Sequence, residues 1–102
     1  TVPEVEKYFE PHGEIGKFLA MRFKEYSDDH KGWSKELWDM AAVAWLINEE
    51  WTPTNIIPSP ILSDNMTWSV DQRRHSIKIV SMLNRDEIIK DFIFKLERFN
   101  KN

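Results

Sequence analysis

Leu37-Trp38-Asp39-Met40-Ala41-Ala42-Val43-Ala44-Trp45-Leu46-Ile47 is apolar around the whole circumference of a helix, with Asp39 as the single exception. A helix without a polar face belongs inside a larger body, covered on both sides. Ser34 is a good N-cap shortly before it, and the spacing predicts a helix over 34–48. Asp39 is the most informative residue of the stretch. Burying an unpaired carboxylate is costly, so an aspartate in an apolar run calls for a cation, a metal or several hydrogen-bond donors beside it. The competing reading keeps Asp39 wet in the first turns of its helix, where the macrodipole favours a negative charge. The pattern leaves these two readings evenly balanced.

Toward the N-terminus, Ser27-Asp28-Asp29-His30-Lys31-Gly32 reads as a loop. Ahead of it, Ile15, Phe18, Leu19, Arg22, Phe23 and Tyr26 recur at the three- and four-residue steps of one helical face, which predicts a helix over 13–29. Pro11 and Gly13 separate that helix from a short first one ending near Phe9 and opened by the Thr1-x-x-Glu4 capping-box spacing. Toward the C-terminus, Pro53, Pro58 and Pro60 confine Ile56-Ile57 and Ile61-Leu62 to an edge strand or extended segment. Ser63-Asp64-Asn65 is turn chemistry leading into Thr67-Trp68-Ser69-Val70, and a polar connection over 71–75 follows. Residues 76–83 put Ile77 and Ile79 on one side and Lys78 on the other. Two or three antiparallel strands are expected. Asn84-Arg85-Asp86-Glu87 repeats the capping-box spacing, and Ile88, Ile89, Phe92, Ile93, Leu96 and Phe99 mark a closing amphipathic helix. The class is α+β: helices, a small antiparallel β-hairpin sheet and a C-terminal helix, in one segment over 1–102.

Composition excludes several functions. With 102 residues, 41% hydrophobic and 30% charged, the chain can hide about two-thirds of its unfolded surface, and 13% aromatic content argues against disorder. A net charge of −3, with no basic run longer than Arg73-Arg74, argues against nucleic acid as a partner. No apolar run approaches the ~20 residues of a membrane span, so no membrane partner is expected. The absence of cysteine removes disulfide scaffolds, Cys-ligated zinc and thiol nucleophiles. Gly13, Gly16 and Gly32 lack the grouping of a phosphate loop. His12, His30 and His75 stand at no metal-ligand spacing and read as surface residues, His30 gaining interest from its place in the loop feeding the Asp39 helix. The tryptophans at 33, 38, 45, 51 and 68 could form a sugar- or base-stacking platform, although core packing is the expected role of Trp45.

The motif Lys35-Glu36-Leu37-Trp38-Asp39-Met40-Ala41-Ala42-Val43-Ala44-Trp45-Leu46, continued by Pro58-Ser59-Pro60-Ile61-Leu62 and the final helix, resembles the C-terminal part of inosine-uridine preferring nucleoside hydrolases. The order of elements agrees across essentially the whole chain. The resemblance implies a segment of a larger α/β fold, matching about the last third of a family chain without its Asp-rich N-terminal cluster. It implies a Ca²⁺-dependent N-glycosidase acting on ribonucleosides, in which the ion binds ribose hydroxyls and positions the attacking water. On that reading Asp39 is a calcium ligand, and Trp38, Tyr26 and His30 line the substrate pocket. No catalytic residue lies in this segment, which is expected to be inactive alone. The implied partners are a nucleoside or sugar, the N-terminal portion of the same fold, and further copies in a homo-oligomer. Trp38 stands where many members carry a histidine that protonates the departing base; an indole N–H donates a hydrogen bond but has no useful acidity. Two other readings compete: a non-enzymatic α+β interaction module docking through its apolar helix, and a catalytically altered relative that binds a carbohydrate.

Overall fold

The computed structural model describes residues 1–37 and 39–101. Among them the class is α+β, with four α-helices and two two-stranded antiparallel ladders. The chain divides into two compact units, Thr1–Met40 together with the last helix, and Ala41–Asn84.

In the first unit, helix α1 spans Val2–Tyr8; the Thr1 hydroxyl accepts from the Glu4 amide, and Pro3 occupies an early position where its missing N–H costs nothing. Helix α2 spans Gly13–Lys24, and the closing amphipathic helix, α4, spans Arg85–Lys101. Val2, Val5 and Phe9 meet Ala20 and Phe23 of α2 and Leu96 of α4 in one core. Phe9 packs on Phe92 at 5.2 Å between ring centres. Gly16 permits the approach of α1 to α2, since a Cβ there would lie 2.0 Å from the Phe9 carbonyl oxygen. Polar ties run around this core: the Lys24 ammonium lies 3.1 Å from Glu6 and 3.0 Å from Glu10, and the Arg85 guanidinium lies 3.1 Å from Glu4.

Helix α2 stops five residues short of the expected Asp29. Local polar groups compete for its backbone: the Ser27 hydroxyl donates to the Asp29 carbonyl, the Asp29 carboxylate accepts from the Lys31 amide, and His30 Nε2 donates to the Lys24 carbonyl. Helix α3, Met40–Ile47, begins well after the expected Ser34 cap. Residues 34–37 are not helical, while Trp33 is engaged with Phe23 and Lys35 with Tyr26.

In the second unit, α3 runs into a 3₁₀ turn over Glu49–Trp51, where the Asn48 side chain accepts from the Glu50 amide. Strand β1, Thr54–Pro58, pairs with β4, Ser76–Val80, and the ladder is continued by Ser59 donating to the His75 carbonyl and Ser81 donating to the Pro53 carbonyl. Ile77 and Ile79 are half-buried and Lys78 is exposed, as the alternation predicts. Between these strands, β2, Ile61–Leu62, pairs with β3, Trp68–Ser69. Four strands in two pairs therefore replace the expected two or three. Pro60 has no N–H to continue the first ladder, and the chain starts a second one just beyond it.

Candidate functional site

Three of the four residues singled out from the sequence belong to the first unit's described part: Tyr26, His30 and Asp39. Trp38 lies outside the described residues. Tyr26 and His30 both follow the C-terminal end of α2, where the turn that ends the helix places them. Tyr26 is 66% exposed, and the Lys35 ammonium sits 4.1 Å from the centre of its ring. One aromatic face is thereby taken by a cation.

His30 is half-buried rather than a free surface residue. Its Nε2 lies 3.1 Å from the Lys24 carbonyl oxygen, and its ring lies 5.3 Å from that of Trp33. A carbonyl only accepts, so Nε2 carries the proton and Nδ1 keeps its lone pair in the neutral imidazole. Trp33 in turn stands edge-on to Phe23 at 5.1 Å, which anchors the loop on the core. His12 departs from the surface expectation as well: it is half-buried at the start of α2, with Nε2 3.7 Å from Glu97. His75 is exposed as expected.

Asp39 occupies a turn immediately before α3 and is exposed, so the wet reading describes it and the buried-acid reading does not. It makes no hydrogen bond or ion pair with another described residue. The first turn of α3 carries no acid of its own. An uncommitted carboxylate is a suitable hard-oxygen donor for Ca²⁺, but the ion takes six to eight oxygens. Among the described residues no three His, Asp or Glu side chains converge, and Asp39 stands by itself there as a donor.

The structure joins His30 to Trp33 and Tyr26 to Lys35, and brings none of these into a described contact with Asp39. Lys35 is the member sequence reasoning missed, while Trp33 was singled out only as one of five tryptophans of a possible stacking platform. Trp33 could have been found from its place four residues before Leu37 and ten after Phe23 only if the early end of α2 were known. Nothing in the sequence signals the stacking of Lys35 on Tyr26. Of the remaining tryptophans, Trp45 and Trp51 are half-buried and Trp68 is 67% exposed beside Leu62 on its ladder. Comparison of the chain with protein-family models, with curated proteins and with solved structures gives no match.

Proposed function

We propose that the chain forms the C-terminal part of a Ca²⁺-dependent, nucleoside hydrolase-like N-glycosidase cleaving ribonucleosides, and that it is inactive by itself. The observation that carries this reading is Asp39: an exposed carboxylate without a partner among the described residues, set in the turn that opens the apolar helix bearing the family-like motif. Ca²⁺, when bound, supplies positive charge that holds ribose hydroxyls and orients water. Asp39 contributes one oxygen to it. Tyr26 and His30 border the departing base. Hydrolysis joins a water oxygen to C1′, breaks the bond from C1′ to the base nitrogen, and leaves that electron pair on the base, which must then gain a proton. The Trp38 indole supplies no acid for that proton, so the donor lies outside these residues in the proposed reaction.

The test uses the native polypeptide that carries these residues. Ribose release from inosine or uridine should require Ca²⁺, disappear on chelation, and fall more than about 100-fold in Asp39→Asn, beyond the 10–100-fold typical of groups that only support a ligand. Full activity in chelator, or in Asp39→Asn, overturns the assignment. One observation favours the interaction-module reading instead: Val43, Leu46 and Ile47 of α3 are exposed, offering a continuous apolar face. A native polypeptide lacking any upstream Asp-x-Asp-x-x-x-Asp-Asp stretch, and lacking ribose release, would decide for the module.

A further inference from the structure

The ladder of β1 and β4 settles which backbone groups of β4 are spent. Ser59 donates to the His75 carbonyl and Ser81 to the Pro53 carbonyl, so 59 with 75 and 53 with 81 are hydrogen-bonded pairs. Antiparallel alternation then commits Ile77 and Ile79 to β1 and turns the N–H and C=O of Ser76, Lys78 and Val80 outward. Among the described residues β4 pairs with no strand but β1, and this edge is open. At its head the sequence reads Arg73-Arg74-His75-Ser76, four exposed residues, and no other serine or threonine of the chain has arginine both two and three residues before it. The Ser76 hydroxyl makes no hydrogen bond to a described residue. Both arginines are held only by replaceable surface partners. Arg73, 91% exposed, lies 3.0 Å from Asp71, and Arg74 reaches the Ser59 hydroxyl at 3.5 Å.

We infer that Ser76 is a phosphorylation site, the substrate of a protein kinase that reads arginine. Carboxylates of such an enzyme grip the two guanidinium groups through paired, charge-assisted hydrogen bonds, which lysine could not match in geometry. The acceptor residue must also be offered in extended main chain, and the open edge of β4 offers Ser76 in that form, with its amide and carbonyl unspent. In the reaction the Ser76 Oγ attacks the γ-phosphorus of ATP. A bond from Oγ to phosphorus forms, the bond from that phosphorus to the bridging oxygen breaks, ADP departs with the electron pair, and the hydroxyl proton passes to a carboxylate of the kinase. The product carries about −1.5 to −2 charges on this strand. Neither β1 nor β4 contains Asp or Glu, and Lys78, two residues along on the same face, has no acidic partner among the described residues. The phosphate gains a cation on its own ladder and meets no like charge there, so the strand pair survives the modification. The inference is independent of the hydrolase reading and stands or falls separately from it.

Incubation of the native polypeptide with magnesium-ATP and the catalytic subunit of cyclic-AMP-dependent protein kinase, an arginine-directed enzyme, tests it. Mass spectrometry of the digested product locates the phosphate. The expected result is a single modification at Ser76, absent in Ser76→Ala and unchanged in Ser81→Ala. Losing a charge-assisted contact should lower kcat/KM by about tenfold or more in Arg73→Ala and in Arg74→Ala. Circular dichroism verifies that each variant remains folded. The same polypeptide isolated from its own cells under phosphatase inhibition should carry phosphate on Ser76. A chain that stays unmodified while a synthetic peptide of residues 70–80 is phosphorylated overturns the inference, because the fold then withholds the serine. So does phosphorylation that persists in Ser76→Ala, a rate indifferent to both arginines, or a native chain without phosphate on Ser76.

Discussion

Met66 has a backbone φ of 66°, in the left-handed region, at the end of the turn joining β2 to β3. The turn is fastened by the Ser63 amide donating to the Thr67 carbonyl at 2.9 Å and the Met66 amide donating to the Ser63 carbonyl at 3.0 Å, so the strain is held in place by its neighbours. Left-handed geometry costs a side-chain-bearing residue about 1–2 kcal/mol, and glycine returns about 0.5–1 of that through the flexibility of the unfolded chain. Met66→Gly should therefore stabilise the second unit by about 0.5–1 kcal/mol, read as an increase in hydrogen-exchange protection across β2 and β3. Glu4 makes a second case. The Thr1 hydroxyl, and then the Arg85 guanidinium, hold its carboxyl below the ordinary value of 4.5. A depressed acid contributes stability that is present above its unfolded pKa and lost as pH falls through the folded one. Acidification below about 4.5 should thus weaken the first unit more in the wild type than in Glu4→Gln, by no more than the ~1 kcal/mol of an exposed pair. Equal acid sensitivity of the two proteins would remove Glu4 from the account.

At the level of elements, periodicity made α2, α4 and the β4 alternation legible, because each buries one face and the apolar spacing records it. The ends were not legible. Tyr26 continues the apolar face of α2, yet the helix stops at Lys24 because Ser27, Asp29 and His30 offer closer partners to the backbone. Ser34 is a sound cap in isolation, but its neighbours Trp33 and Lys35 are drawn to Phe23 and Tyr26, contacts between segments that no local pattern encodes. The candidate site suffered from the same blindness: Tyr26 and His30 were singled out by residue type and resemblance, while the cation and the ring beside them depend on where α2 ends. Gly16 shows how closely two elements can be set by one residue. Replacing it with alanine raises helix propensity by about 1 kcal/mol, but the new Cβ meets the Phe9 carbonyl at 2.0 Å, and that backbone atom cannot step aside. Gly16→Ala should destabilise the first unit by about 1–3 kcal/mol in urea unfolding; a gain in stability would mean that α1 and α2 separate easily.

Across the whole chain, large apolar side chains stand exposed: Val43, Leu46 and Ile47 on α3, Leu62, Trp68 and Val70 around the second ladder, and Phe18 on α2. The helix that the sequence places inside a larger body is open along one side. That surface and the isolation of Asp39 bear on the same expectation about catalysis. Cleavage of an N-glycosidic bond in the proposed reaction needs a carboxylate to activate water, and Ca²⁺ needs six to eight oxygens to hold ribose. Asp39 offers the metal one side chain, and no three acidic or imidazole groups gather among the described residues. The 102-residue chain, incubated with inosine or uridine in millimolar Ca²⁺, should therefore release no ribose above a buffer blank. Calorimetry should likewise find Ca²⁺ binding no tighter than about millimolar, the range of the weakest protein calcium sites. Turnover would show that the base and the remaining ligands lie within these residues after all. Micromolar Ca²⁺ affinity that survives Asp39→Asn would move the metal away from Asp39 altogether and leave α3 as a docking surface.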